Sequence, residues 1–134
     1  MSVIDLDVTP AYSKVLNVSY KDILGLKYNQ IIMEIYVPTY DRGLGETKIL
    51  TIISYVNGLF KEIFNHEIED SYIDSFERWS RLIQWEYSIT SGKNARIVFT
   101  NIKNETYNTD FKLPPIDKTE EYIWNGTEFK RAKE

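Results

Sequence analysis

The fold depends on residues 49–64, which read I-L-T-I-I-S-Y-V-N-G-L-F-K-E-I-F. The apolar residues of this stretch recur at the i, i+3, i+4, i+7 spacing that places side chains on one face of an α-helix. They are Ile49, Ile52, Ile53, Val56, Leu59, Phe60, Ile63 and Phe64. This spacing predicts a helix over the whole stretch.

The alternative for the same residues is a β-hairpin that turns at Asn57-Gly58, a dipeptide that favours the type I′ turn. The strands of a half-buried hairpin alternate apolar and polar residues, whereas the pairs Ile52-Ile53 and Leu59-Phe60 do not alternate. A glycine inside a helix costs only about 1 kcal/mol relative to alanine, and one buried phenylalanine offsets that cost. We therefore prefer the helix over the hairpin.

A second helix is predicted immediately downstream. Ser71 is a favourable N-cap residue, and Asp74 follows it at the spacing of a capping box. Apolar residues then recur at helical spacing. They are Tyr72, Ile73, Phe76, Trp79, Leu82 and Ile83.

The rest of the chain is typical of β-structure. Asn125-Gly126 predicts a hairpin turn, residues 39–46 predict a loop, and the remaining segments alternate or are rich in β-branched residues. Segment 15–28 is ambiguous, but the alternation of residues 16–20 favours a short strand there. The other predicted strands are 4–8, 30–37, 85–90, 95–101 and the two arms of the last hairpin, 121–124 and 127–130. We therefore predict a single α+β domain over residues 1–134, with an antiparallel sheet packed against two helices.

The composition argues against most catalytic chemistry. The chain has no cysteine, which excludes disulfides, thiolate catalysis and cysteine-ligated metal centres. His66 is the only histidine, and no serine lies in a G-x-S-x-G motif. We predict no catalytic residues, no cofactor and no enzymatic activity.

Charge and hydropathy restrict the partners. The net charge of −4 argues against a nucleic-acid binder. The first residues have no basic region followed by an apolar segment, and no window approaches the roughly 20 apolar residues of a membrane span. We expect a cytoplasmic protein that does not engage membranes.

A metal site at His66 is the sharpest chemical alternative. On one continuous helix, Glu62, His66 and Asp70 would share a face. A new helix at Ser71 would break that spacing, and Asp70 stands where the H-E-x-x-H motif needs its second histidine. We predict no metal site.

The segment 62–77, which we call the acidic window, carries six carboxylates and no lysine or arginine. Such a surface can steer and orient a basic partner, with an exposed tyrosine adding contact area. The alternative is a solvated face, partly neutralised by Lys61, Arg78 and Arg81. The predicted partner-binding residues are Glu62, Glu67, Glu69, Asp70, Tyr72, Asp74 and Glu77.

A small, cysteine-free, acidic and aromatic-rich chain resembles the bacterial toxin-immunity proteins in general character. That resemblance implies a protein-binding module that neutralises a cationic toxin, such as a nuclease, through its acidic surface. Two alternatives remain. One is a phage or bacterial assembly protein that forms a homo-oligomer, and the other is a small hydrolase that uses carboxylates.

Overall fold

The computed structural model describes residues 13–39, 43–74, 76, 79–107 and 118–132. In these ranges the chain forms eight β-strands and no helix, so no helix there has the length and apolar character needed to cross a membrane. The strands β1 to β8 are Lys14–Lys21, Gln30–Thr39, Gly43–Val56, Leu59–Asp74, Ser80–Thr90, Arg96–Tyr107, Thr119–Trp124 and Phe129–Arg131.

All eight strands form one antiparallel sheet in which each strand pairs with its neighbours in sequence, in the order β1 to β8. Such a meander needs only short connections. The connections β1–β2, β3–β4, β5–β6 and β7–β8 consequently lie together at one end of the sheet, which we call the hairpin end.

The predicted α+β class, with an antiparallel sheet packed against two helices, is wrong. Residues 49–64 form a hairpin: β3 and β4 pair along their whole length, and Val56 opposes Leu59 across the turn. Asn57 and Gly58 have φ values of 50° and 85°, as a type I′ turn requires. The turn signal of this dipeptide was therefore correct, and the helical spacing was misleading.

The helical spacing arises because β3 is buried on both faces. Ile52 belongs to one hydrophobic cluster, with Leu50 and Phe64, whereas Ile53 belongs to a second cluster with Met33. A strand covered on both faces has a continuous apolar run rather than an alternating one. On β4, Ile63 is one of two extra residues that interrupt the register with β3, which adds a further apolar doublet.

The second predicted helix is also wrong. Tyr72 and Ile73 lie near the end of β4, while Leu82 and Ile83 lie on β5. Asp74, the proposed capping-box residue, is the buried last residue of β4, and its backbone N–H donates to the carbonyl of Trp79 at 3.0 Å across the connection to β5. An aspartate that favours a helix start also favours a turn, because its carboxylate bonds nearby backbone N–H groups in both.

Most of the β predictions are confirmed. The segments 16–20, 30–37 and 85–90 lie within β1, β2 and β5, although β5 begins five residues earlier than predicted. The last hairpin is confirmed as β7–β8, but four residues connect its strands and β8 begins at Phe129 rather than at residue 127. Segment 95–101 lies within β6 apart from its first residue, and residues 43–46 of the predicted loop belong to β3. The predicted strand 4–8 lies outside the described residues.

The sheet curls strongly around one of its faces. The Tyr87 hydroxyl on β5 donates to the Glu34 carboxylate on β2 at 2.6 Å, although β3 and β4 lie between them in the sheet. Three strand spacings in a flat sheet amount to roughly 14 Å, so only a curled sheet permits this bond. Its concave face encloses the main core, which contains Leu50, Ile52, Phe64, Ile97, Phe99 and Trp124.

The effect of Gly58→Ala on the free energy of unfolding should have opposite signs in the hairpin and in the predicted helix. Gly58→Ala should lower the free energy of unfolding by about 1 kcal/mol, because an L-residue is strained at positive φ; in a helix the same change would raise it by a similar amount, about 1 kcal/mol. The added Cβ would meet only the Tyr55 hydroxyl, at 3.9 Å, so the loss comes from the backbone. Urea denaturation measures it, with Asn57→Gly as a nearly neutral control. A stabilised Gly58→Ala variant would contradict the hairpin.

Candidate functional site

The acidic window does not form one compact surface. Its described members are spread along β4 from Glu62 to Asp74, and twelve strand steps span roughly 40 Å. Consecutive strand residues face opposite sides of a sheet, and Glu69 and Asp70 accordingly have different partners. Glu77 lies outside the described residues.

Two of the window's carboxylates are already neutralised within the chain. Glu69 forms an ion pair with Lys48 at 3.4 Å and accepts a hydrogen bond from Gln84 at 2.6 Å. Asp70 forms an ion pair with Arg81 at 3.2 Å. These contacts reduce the negative potential available to a basic partner.

The other members of the window have separate environments. Glu62 accepts a hydrogen bond from Asn65 at 2.8 Å, and the Tyr72 ring packs against Trp79. Glu67 is exposed, yet burial of its carboxyl, followed by the nearby negative charge of Asp70, raises its pKa above the usual value. Within the window, the charge of Asp70 therefore acts on the carboxyl of Glu67. Whether these residues bind a partner stays a prediction.

His66 sits in a polar and aromatic network rather than in a metal site. Its Nε2 lies 2.7 Å from the Glu120 carboxylate, and its Nδ1 bonds the carbonyl oxygen of Glu67. The ring stacks on Phe99 with a centroid separation of 3.9 Å, and the Tyr122 hydroxyl donates to Glu120 at 3.1 Å. Both ring nitrogens are thus engaged within the chain. Among the described residues, no three histidine or acidic side chains form a group that could hold a metal ion.

A cavity of about 470 Å³ opens at the hairpin end of the sheet. Three connections supply its walls: the β1–β2 loop, the β3–β4 hairpin and the β7–β8 turn. The lining residues are Leu24, Leu26 and Tyr28 from the first, Ser54, Tyr55, Val56, Asn57 and Lys61 from the second, and Trp124, Gly126 and Thr127 from the third. Its volume and mixed apolar and polar lining are typical of ligand pockets.

The β1–β2 wall is fixed by the buried amide of Gln30. Its Oε1 accepts hydrogen bonds from the backbone N–H groups of Ile23 and Leu24, at 2.7 and 3.2 Å. Its Nε2 donates to the carbonyl of Tyr28 at 3.0 Å. On the solvent side, the Asp22 carboxylate accepts from the N–H groups of Leu26 and Lys27, and the first of these bonds is the main cause of its lowered pKa. The cavity wall is therefore preorganised.

The β3–β4 wall contributes a polar pair, Ser54 and Lys61, to the cavity lining. Ser54 and Lys61 oppose each other across the hairpin, so their side chains project from the same face with Cβ atoms roughly 5 Å apart. Ser54 is only 2% exposed, and its hydroxyl makes no hydrogen bond within the described part of the chain. A buried hydroxyl without a partner is costly, so this position favours a polar group entering from the cavity.

Exposed apolar side chains surround the cavity. Leu59 is 72% exposed and lies on the same face of the hairpin as Ser54 and Lys61, while Leu26 and Tyr28 are each 42% exposed on the opposite wall. Tyr55 and Phe60 oppose each other on the other face of the same hairpin, where their rings pack edge to face. We call Leu26, Tyr28, Tyr55, Leu59 and Phe60 the rim.

No family model matches the sequence, and neither a curated protein nor a solved structure shows significant similarity to the chain. The resemblance to toxin-immunity proteins therefore stays an untested prediction, and the α+β class predicted with it is replaced by an all-β fold in the described residues.

Sequence reasoning did not find the cavity. Its only signals were the two Asn-Gly dipeptides, at Asn57 and Asn125, which mark turns at the same end of an all-β meander. Because a helix was predicted across Asn57, the turn at Asn57-Gly58 was not predicted. Nothing in the sequence marks Ser54 or Gln30 as buried polar residues.

Proposed function

We propose that this chain is a non-catalytic protein-binding module that docks its partner on the rim and inserts a partner side chain into the cavity. The observation that supports this proposal most strongly is the apolar rim around an open cavity. Exposed apolar groups beside a pocket are typical of protein interfaces, where a buried anchor supplies most of the binding energy. A cytoplasmic location, expected from the sequence, belongs to the same proposal.

The extent of the rim favours a protein over a small molecule. A ligand confined to the cavity would leave Leu59 and Phe60 in water, because neither side chain lines the cavity. These two side chains lie on opposite faces of the hairpin tip, so a partner that wraps around the tip would bury both. Each fully buried leucine or phenylalanine side chain contributes about 1.5–3 kcal/mol.

The basic-partner hypothesis for the acidic window receives less support, because Glu69 and Asp70 are ion-paired inside the chain. The cavity also differs from the window in charge. Lys61 is the only charged residue that lines it among the described residues. We therefore place the docking surface at the rim.

The test is affinity capture from an extract of the native host, with quantitative comparison of four baits. The baits are the wild type, Leu59→Glu on the rim, Leu44→Glu as the matched control on an exposed leucine at the opposite end of β3, and Glu67→Lys in the acidic window. A partner held by the rim should be retained by the wild type, Leu44→Glu and Glu67→Lys, and depleted at least about tenfold by Leu59→Glu.

Two results would overturn the rim as the docking surface. If the partners bind all four baits equally, the rim is not the docking surface. If the partners are lost only with Glu67→Lys and at high salt, the acidic window is the docking surface instead. Sedimentation equilibrium of the purified chain tests the homo-oligomer alternative. Dimerisation that Leu59→Glu abolishes would show that the rim binds a second copy, which supports the homo-oligomer alternative instead.

A further inference from the structure

We infer that the cavity binds the C-terminal residue of the partner chain, with an apolar side chain among the cavity walls and the terminal carboxylate between Ser54 and Lys61. This inference rests on the proposed function and specifies the chemistry of the anchor. It is carried by the buried, unpartnered hydroxyl of Ser54 and by Lys61, which the hairpin register places directly opposite Ser54 and which also lines the cavity.

The Ser54 hydroxyl and the Lys61 ammonium are suited to binding an anion. Lys61 offers only donors, and the Ser54 hydroxyl can donate in the same direction. Within the described residues Lys61 has no ion pair, and no aspartate or glutamate lines the cavity. In a chain with a net charge of −4 this is a locally positive site. A carboxylate that accepts from both groups would satisfy the Ser54 hydroxyl and neutralise Lys61.

The walls require that the anion carry an apolar group. Leu24 and Trp124 are buried and line the cavity together with Ser54, and Val56 and the rim residue Leu26 add further apolar surface. An internal aspartate or glutamate has no apolar body to fill this space. A chain terminus joins an apolar side chain and a carboxylate at a single carbon, and its capture by donors is a recurrent mode of peptide recognition.

One lysine and one hydroxyl favour a carboxylate over a phosphate. Phosphate groups in proteins are commonly held by arginine clusters or several backbone N–H groups. The cavity lining contains no arginine among the described residues. A monoanion with two oxygens fits the two donors present.

The test uses N-acetyl-phenylalanine, which mimics a C-terminal residue, and N-acetyl-phenylalanine amide, which has the same apolar group without the charge. Binding to the full chain is followed by NMR at the indole N–H of Trp124 and the amides of Gly126 and Thr127. The acid should bind about tenfold more tightly than the amide, with a dissociation constant on the order of 1 mM.

Lys61→Gln should reduce the preference for the acid to within about twofold and leave amide binding unchanged, because only the charged contact is removed. Lys103→Gln, on an exposed lysine that does not line the cavity, should behave like the wild type. Ser54→Ala should weaken acid binding by roughly fivefold through the lost hydrogen bond.

Equal binding of the acid and the amide to the wild type would overturn the inference, as would an acid preference that survives Lys61→Gln. Tighter binding of phenyl phosphate than of the acid would reassign the site to a phosphorylated side chain, and tighter binding of octanoate would reassign it to a fatty acid. If these probes fail while Leu59→Glu still releases a captured partner, the proposed function stands without the inference. If the acid binds selectively but no partner depends on Leu59, the proposed function fails and the cavity's carboxylate chemistry stands.

Discussion

Gln30→Met is expected to lower the free energy of unfolding by about 3 kcal/mol, because two buried backbone N–H groups would lose their acceptor. Gln30 is fully buried, and its amide is the hydrogen-bond partner of Ile23, Leu24 and Tyr28. Methionine has a similar length and fills the same space. The lost free energy of unfolding therefore reports the missing hydrogen bonds and not an empty space left by a smaller side chain.

Gln84→Met is the matched control for this experiment. Gln84 is half-buried, and its side chain makes one described hydrogen bond, to the Glu69 carboxylate. The same substitution there should cost about 1.5 kcal/mol, because a single half-buried bond to a carboxylate is lost and no backbone N–H group loses its acceptor. Urea denaturation measures both variants. A Gln30→Met variant as stable as Gln84→Met would show that the amide does not hold the β1–β2 wall of the cavity.

Tyr87→Phe is expected to destabilise the chain by about 2 kcal/mol at neutral pH, because the hydroxyl bonds the Glu34 carboxylate across the curled sheet. The effect should also depend on pH. Burial, and then the hydrogen bond and charge of Glu34, raise the pKa of Tyr87 above its ordinary value. The folded chain therefore keeps this proton at pH values where the unfolded chain loses it.

The sign follows from proton linkage. A raised tyrosine pKa contributes stability that is complete below about pH 10 and declines as the pH rises through the gap between the unfolded and folded values. Near pH 11 the stability difference between the wild type and Tyr87→Phe should shrink by roughly 1 kcal/mol. The raised pKa of Tyr122 is common to both proteins and cancels in the comparison. Urea midpoints at the two pH values measure the change, and a difference that stays constant or grows would contradict the Tyr87–Glu34 contact.

Local signals in the sequence predicted most of the strands, but not the fold class. Asn57-Gly58 forms the two-residue turn that this dipeptide favours, whereas the hairpin at Asn125-Gly126 closes through a four-residue connection in which Gly126 alone has a positive φ. Strand β2 and the second half of β5 lie where their composition indicated. The class was wrong because burial on both faces of β3 follows from the curl of the sheet. Curl is a long-range property, and no window of sequence around Ile52 and Ile53 contains it.

The site was less predictable than the strands for the same reason. Acidic residues are adjacent in sequence between Glu67 and Asp70, but a strand sends neighbours to opposite faces, and their lysine and arginine partners come from other strands. Ser54, Lys61 and Trp124 meet only because three turns share one end of the meander. Had a hairpin been predicted at Asn57, Ser54 and Lys61 would have been placed opposite each other.

The most direct test of the rim as docking surface is site-specific photocrosslinking in the native host. A benzoylphenylalanine is introduced at Leu59 on the rim, and in a second chain at Tyr107, which is 70% exposed at the opposite end of the sheet. Docking at the rim predicts a discrete covalent adduct with one partner from the Leu59 position and none from Tyr107. An adduct from Tyr107 with none from Leu59 would contradict it.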